Sequence, residues 1–245
     1  MGNMIELTYN NQQFSAYLAK PQGEVKGGLI VIHEVWGLVE HTKSIADRFA
    51  KEGFLVLAPS LLSELGITDK LAGDLQSKLF NPKTRSETQP KLRALMTPMQ
   101  APEFGQKTIG RVLECYRFLV DQKEINQNVG VTGFCFGGTY CYSLAVNQPN
   151  LKFAVPFYGH ANFSADELSK IKCPILAFYG ENDEGLMTEL PDLKTQMKQA
   201  GVDFTAKVYK DCGHAFFNDT NSFAYNEAAA TDAWKMTLAF MNNHI

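Results

Sequence analysis

Cys135 is the side chain best placed in this sequence to act as a nucleophile. It stands in Gly133-Phe134-Cys135-Phe136-Gly137-Gly138, directly after the β-like run Val129-Gly130-Val131-Thr132. The pattern predicts a strand, a sharp turn and a helix, with one reactive group at the turn: a G-x-S-x-G nucleophile elbow in which cysteine replaces serine. Glycines two residues either side of Cys135 leave no Cβ in the way of a tight bend. Sγ then sits at the positive N-terminal end of the following helix, which favours the thiolate, the form that attacks. A small apolar residue at an ordinary strand–helix junction would not need glycine at 133, 137 and 138 together.

A catalytic thiol needs a base, and the base needs an orienting group. After an elbow these follow in the order acid, then histidine. Asp183 lies in Gly180-Glu181-Asn182-Asp183-Glu184-Gly185, just past an apolar run, and His214 in Cys212-Gly213-His214-Ala215-Phe216, just past the next. Both are expected at the same sheet edge as Cys135. Glu181 and Glu184 share the loop and the sequence alone does not separate the three acids; the spacing favours Asp183. Earlier, His33-Glu34-Val35-Trp36-Gly37-Leu38 ends another apolar run. The loop after that strand normally gives the second oxyanion-hole amide, the first coming from the residue after the nucleophile. The donors here are the backbone N–H groups of Val35 and Phe136. Glu34 is unexpected in such a loop, because a carboxylate opposes developing negative charge. It must be neutral, paired or movable.

These residues require a mostly parallel sheet to hold them. A hairpin is predicted over Thr8 to Ala19, turning at Asn10-Asn11. Buried strands follow at Gly28–Ile32, Phe54–Ala58, the elbow strand, Phe153–Phe157 and Pro174–Tyr179, and a last strand at Val202–Tyr209. Helices are predicted at 41–52, 103–122, from the elbow to Gln148, from the Asp183 loop to Ala200, and at 222–244. Alternating strands and helices imply right-handed crossovers and helices on both faces of the sheet. The whole chain, 1–245, reads as one domain. Its exception is a Pro-interrupted insertion at about 60–102, with Pro82, Pro90, Pro98 and Pro102. A long insertion after a parallel strand lies at the carboxyl edge, where ligands bind. Its apolar residues, Leu71, Leu75, Leu79, Phe80, Leu95, Met96 and Met99, fit either a lid or a plain helical covering.

The four ordered motifs together, His-Glu-x-Trp-Gly-Leu, Gly-x-Cys-x-Gly-Gly, an Asp after the next strand but one, and Gly-His-x-Phe, resemble the dienelactone hydrolase family of the α/β-hydrolase superfamily over nearly the whole chain. The resemblance implies an α/β-hydrolase fold and a Cys135–Asp183–His214 triad. It also implies a role for Glu34, which in the family's scheme hydrogen-bonds the resting thiol and is freed by substrate to help deprotonate it. The best-known member grips its substrate's carboxylate with two arginines, one of them four residues past the catalytic histidine. That position here is Asn218. The other lies in the segment expanded here as 60–102, where Arg85 and Arg93 stand. Losing one guanidinium removes a bidentate anion partner. The expected reaction is therefore hydrolysis of a carboxylic ester or lactone through a thioester, with Asn218 counting against dienelactone itself as the substrate. Candidate substrate contacts are Trp36, Arg85, Arg93 and Phe216.

Bulk properties exclude several other classes. A net charge of -3 leaves no footprint for nucleic acid or an anionic membrane. No apolar run approaches the roughly 20 residues that span a bilayer, and Met1-Gly2-Asn3-Met4-Ile5-Glu6 lacks the basic and apolar regions of a signal peptide. Five cysteines with no C-x-x-C pair argue for reduced thiols and a cytoplasmic location. Gly37 stands where a metal-binding H-E-x-x-H motif needs histidine, and Cys135 replaces the middle glycine of a dinucleotide fingerprint. The downstream His-x-Glu of elbow-cysteine amidotransferases is missing from His214-Ala215-Phe216. No cofactor or metal is expected, and a monomer is. The standing alternative is a non-catalytic or redox-sensing thiol protein on the same fold.

Overall fold

The structure, a computed structural model, describes residues 2–67 and 69–245; the side chains at 69, 70, 72, 80 and 82 are outside that description. Expectations that touched Met1 and the Phe80 side chain therefore lie outside the described residues. Strands β1 (Asn3–Tyr9) and β2 (Gln12–Ala19) form the antiparallel hairpin. Asn10 and Asn11 turn it with φ of 48° and 59°, the left-handed pair that a two-residue hairpin turn needs and asparagine tolerates. The first strand begins at Asn3, earlier than the sequence suggested.

Six further strands run parallel to one another: β3 (Gly27–Ile32), β4 (Phe54–Pro59), β5 (Val129–Phe134), β6 (Ala154–Phe157), β7 (Ile175–Gly180) and β8 (Phe204–Tyr209). The sheet order is β1-β2-β4-β3-β5-β6-β7-β8. The central strands β3, β4 and β5 are buried at every position, as their unbroken apolar runs require.

Helices α1 (Glu40–Lys51), α4 (Pro102–Val120), α5 (Phe136–Asn147) and α7 (Glu184–Gln199) lie between strands, and α8 (Glu227–Asn242) follows the last one. The step from β3 to β4 runs opposite to the later steps along the sheet. Right-handed crossovers therefore put α1 on one face and α4, α5 and α7 on the other. Phe49 of α1 meets Trp234 of α8 with ring centroids 4.4 Å apart, so α8 shares the face of α1.

The insertion contains α2 (Asp69–Phe80) and α3 (Pro82–Met96), then a 3-10 turn at 97–100. Pro82 and Pro102 open helices, where the missing N–H is no loss. Pro90 was expected to break the segment but lies inside α3 at an exposed position. A four-residue helix, α6 (Ala165–Leu168), was not foreseen, although the Ser164/Glu167 capping box marks it. The last helix starts at Glu227 and not at Ser222, because the Asn226 side chain accepts from Ala229 N–H at 3.0 Å and caps it there.

Candidate active site

Cys135 sits between β5 and α5 with φ 55° and ψ -112°, so the nucleophile candidate itself carries the strained backbone. The flanking glycines leave room for the bend, as expected, and Gly137 also lets the elbow lie against β3. A Cβ at Gly133 would lie 2.4 Å from Gly137 O, and one at Gly137 2.2 Å from Ile32 O. These are close approaches of main chain to main chain. The Cys135 N–H donates to Phe157 O at 3.0 Å, and Cys135 O accepts from Thr139 N–H at 3.1 Å. Phe136 is the first residue of α5, where a backbone N–H has no intrahelical acceptor. Beneath the elbow, Phe134, Phe157, Phe178 and Phe217 stack across three strands and the loop after β8, at centroid separations of 4.7–5.3 Å.

The loops after β7 and β8 are bonded to each other. Glu181 N–H donates to Tyr209 O at 2.9 Å and Asn182 N–H to Cys212 O at 2.8 Å. This brings Asp183 Oδ2 within 2.5 Å of His214 Nδ1. Among the three acids the geometry selects Asp183: Glu181 accepts from Asp211 N–H instead, and Glu184 is exposed in the first turn of α7. Desolvation alone would lower the His214 pKa, but the hydrogen bonds it donates to Asp183 and to Cys135 outweigh it and raise it to about 10. The ring keeps 42% of its surface open to solvent, which screens part of that effect.

Glu34 is buried at 4% exposure. Its two carboxylate oxygens are both taken: Asn218 Nδ2 donates to one at 2.6 Å and the Tyr158 hydroxyl to the other at 3.3 Å. This corrects the expectation that Glu34 bonds the resting thiol. Desolvation pushes its pKa up, opposed by His41, Asn218, His214 and Tyr158.

Two residues here escaped the sequence reading. Tyr158, at φ 38°, also packs its ring against His214 at 5.0 Å and is held protonated, first by burial and then by the charges of Glu34 and Cys135. Asn218, read as a lost arginine, is fully buried and its Oδ1 accepts from Thr220 at 2.6 Å. His33, also fully buried, holds the loop: its Nδ1 bonds Glu34 O at 2.6 Å, its Nε2 accepts from Leu61 N–H at 3.1 Å, and its ring stacks on Phe136. The first contact requires the Nδ1–H tautomer.

The proposed substrate contacts divide. Trp36 and Phe136 pack with Leu65, Met99 and Phe104 around Val39, Leu62 and Ile67. The ends of the insertion thus reach the loop of Trp36 and the residue after Cys135. Further along, Gln76 donates to Thr220 Oγ1 at 3.4 Å. Arg85 and Arg93 are exposed on α3, and Arg85 Nε donates to Leu79 O at 3.1 Å, so neither is brought to Cys135. Phe216 is fully buried between Tyr158 and Tyr209 and faces the core instead of the cleft. Among the described residues no three His, Cys, Asp or Glu side chains form a group that could hold a metal ion. No helix among them is long and apolar enough to cross a membrane.

An eight-stranded, mostly parallel sheet with its elbow at the end of β5 is the α/β-hydrolase fold. The chain belongs to the dienelactone hydrolase family, whose model matches residues 14–245, and it is a hydrolase of that family. It is 34% identical over 251 residues to "Protein usf" of Aquifex pyrophilus, covering all of both chains. It is 30% identical over 254 residues to a provisionally named carboxymethylenebutenolidase of Saccharolobus solfataricus, covering 96% of this chain and 97% of that one. A crystal structure titled as a provisional dienelactone hydrolase from Klebsiella pneumoniae superposes with a TM-score of 0.80 at 22% identity, covering 98% of each chain. A dienelactone hydrolase-like promiscuous phosphotriesterase from metagenomic libraries gives 0.73 at 20% identity, covering 100% of this chain and 98% of that one. At these identities the two structures show the fold.

Proposed function

We propose that the protein hydrolyses a carboxylic ester or lactone through a thioester on Cys135. The observation that carries this is the chain Asp183–His214–Cys135 at the elbow, with the Asp183 contact at 2.5 Å. Cys135 Sγ, as thiolate, forms a bond to the substrate carbonyl carbon. The oxygen gains the negative charge and is bound by the N–H groups of Phe136 and Val35. Collapse breaks the ester C–O bond, and the His214 imidazolium gives its proton to the leaving alkoxide. Water then attacks the thioester, with neutral His214 taking its proton, and the acid and the thiolate are released. Asp183 holds the His214 tautomer throughout. Glu34, held in the resting protein by Asn218 and Tyr158, is freed toward Cys135 when substrate binds and then helps take the thiol proton. The chain acts as one domain, as a cytoplasmic monomer, and needs no cofactor.

A panel of small esters and lactones, assayed with wild type and Cys135→Ala, tests the reading. Turnover should vanish in the variant, and quenched wild type should carry an acyl group on Cys135 by mass spectrometry. Equal turnover in both proteins refutes it. A redox-sensing thiol protein would show no Cys135-dependent turnover at all.

A further inference from the structure

A line of polar side chains runs from the insertion to Glu34, each donating to the next. Gln76 Nε2 of α2 donates to Thr220 Oγ1 at 3.4 Å, the Thr220 hydroxyl to Asn218 Oδ1 at 2.6 Å, and Asn218 Nδ2 to Glu34 at 2.6 Å. The proposed chemistry uses only the last of these contacts. Thr220 also gives its backbone N–H to Asn218 Oδ1, at 3.0 Å. Two donors on one side of a fully buried amide settle which way it points: turned over, its nitrogen would face two donors and its oxygen a carboxylate. A hydroxyl has one hydrogen, and that of Thr220 is spent on Asn218, so what Thr220 offers α2 is an acceptor. The line therefore has a single sense, from α2 to the carboxylate, and its members polarise one another in that direction.

The insertion has supports on both sides of Cys135. Its ends, through Leu65 and Met99, pack with Trp36 and Phe136 on the oxyanion side, and Gln76 meets the loop that carries His214 and Asn218 on the other. The start of α3 is tied to the end of α2, where Thr84 donates to Lys78 O at 2.6 Å and Arg85 to Leu79 O at 3.1 Å, so the two helices move together. We propose that Thr220 is a positioning residue that latches Glu34 to the insertion. It fixes the Asn218 amide against the carboxylate and, through Gln76, lets an entering substrate that displaces α2 undo that hold. This rests on the reading that Glu34 is freed toward Cys135 when substrate binds; what it adds is the trigger. The other hold on Glu34, the Tyr158 hydroxyl at 3.3 Å, is the longer of the two.

The test is the rate at which iodoacetamide alkylates Cys135 without substrate, read by peptide mass spectrometry, in wild type, Thr220→Val, Thr220→Ser and Gln76→Ala. Thr220→Val keeps the shape and the backbone N–H but removes the hydroxyl. It should speed alkylation of Cys135 about fivefold, the worth of one net hydrogen bond. Thr220→Ser should return the wild-type rate, and Gln76→Ala, which breaks a longer contact, should give a smaller rise. In a Glu34→Gln background Thr220→Val should add nothing, because no carboxylate remains to be released. An unchanged rate in Thr220→Val, a serine variant that behaves as valine does, or a rise that persists in the Glu34→Gln background overturns the proposal. So does labelling that spreads to the buried Cys141 and Cys173, the mark of a loosened fold. Should Thr220→Val fail to fold, Gln76→Ala carries the test, and no rise there overturns it. Turnover of a neutral ester separates the two readings. If Glu34→Gln loses kcat while Thr220→Val alkylates like wild type, only the latch fails; if Glu34→Gln keeps full turnover, the part given to Glu34 fails with it.

Discussion

Asn218→Asp is the sharpest probe of how Glu34 is held. Aspartate keeps an acceptor for Thr220, which bonds Asn218 Oδ1 through its N–H at 3.0 Å and its hydroxyl at 2.6 Å, so the loop retains its anchor. What changes is the atom facing Glu34. An N–H donor 2.6 Å from the Glu34 carboxylate becomes a second carboxylate oxygen. Two unit charges about 4 Å apart repel by about 4 kcal/mol at the effective dielectric of a protein site. That corresponds to roughly three pKa units. The lost charge-assisted hydrogen bond adds about 1.5–3 kcal/mol in the same direction. The two carboxyls must then share one proton near neutral pH, and the titration belongs to the pair. If an ionised Glu34 takes the thiol proton, the acid limb of kcat/KM should move up by about two to three units, with activity regained in alkaline buffer. Initial rates on a neutral aryl ester between about pH 5 and 10, with protein kept folded by circular dichroism, read this out. A variant with the wild-type profile would show that Glu34 takes no part in making the thiolate.

Three further outcomes follow from the same geometry. Asp183→Asn should cut turnover by about three to four orders of magnitude by losing control of the His214 tautomer, while Glu181→Gln and Glu184→Gln stay near wild type; equal losses in all three would reject the choice. The His214 pKa is raised above its ordinary 6.5, so its contribution to stability is full below pH 6.5 and is lost as pH rises toward about 10; denaturant unfolding should show that decline in wild type and a flatter curve in His214→Gln. Gly137→Ala drives a Cβ to 2.2 Å from Ile32 O, a main-chain atom with no flexible end to yield, so it should cost about 3 kcal/mol or more and soluble wild-type-like protein would contradict the account.

The parts of this site legible in the sequence are those fixed by local chain geometry. The buried runs of β3, β4 and β5 and the glycines around Cys135 announce strand, turn and helix without reference to anything distant. The order of Cys135, Asp183 and His214 then follows from the loops at one sheet edge. Choosing Asp183 over Glu181 and Glu184 needed two backbone hydrogen bonds between the loops after β7 and β8, a non-local fact with no sequence signal. Arg85 and Arg93 misled for the same reason. An arginine's type suggests an anion site, but only the packing of α2 against α3 shows Arg85 spent on Leu79 O. Phe216 misled because its neighbour His214 is in the cleft, and two residues on the chain has already turned into the core.

Asn218 and Tyr158 show what the sequence could not price. Read by type, an asparagine where an arginine is expected is a subtraction. In the structure it is a neutral donor that holds Glu34, fully buried and already satisfied on its other side by Thr220. A guanidinium at that point would bring a full positive charge to Glu34; an amide brings only a dipole. With a weaker donor at 218, the remaining ionisation of Glu34 has to be supported from elsewhere, by the Tyr158 hydroxyl and by His214. Tyr158 meets the first need at the expense of a positive φ, and Cys135 accepts the same strain one strand away. Two non-glycine residues in left-handed backbone beside one buried carboxylate is a costly arrangement. It is the kind a fold retains where charge must be held in place out of water, which is why Glu34, and not Cys135, Asp183 and His214 alone, is where substitutions should separate stability from turnover.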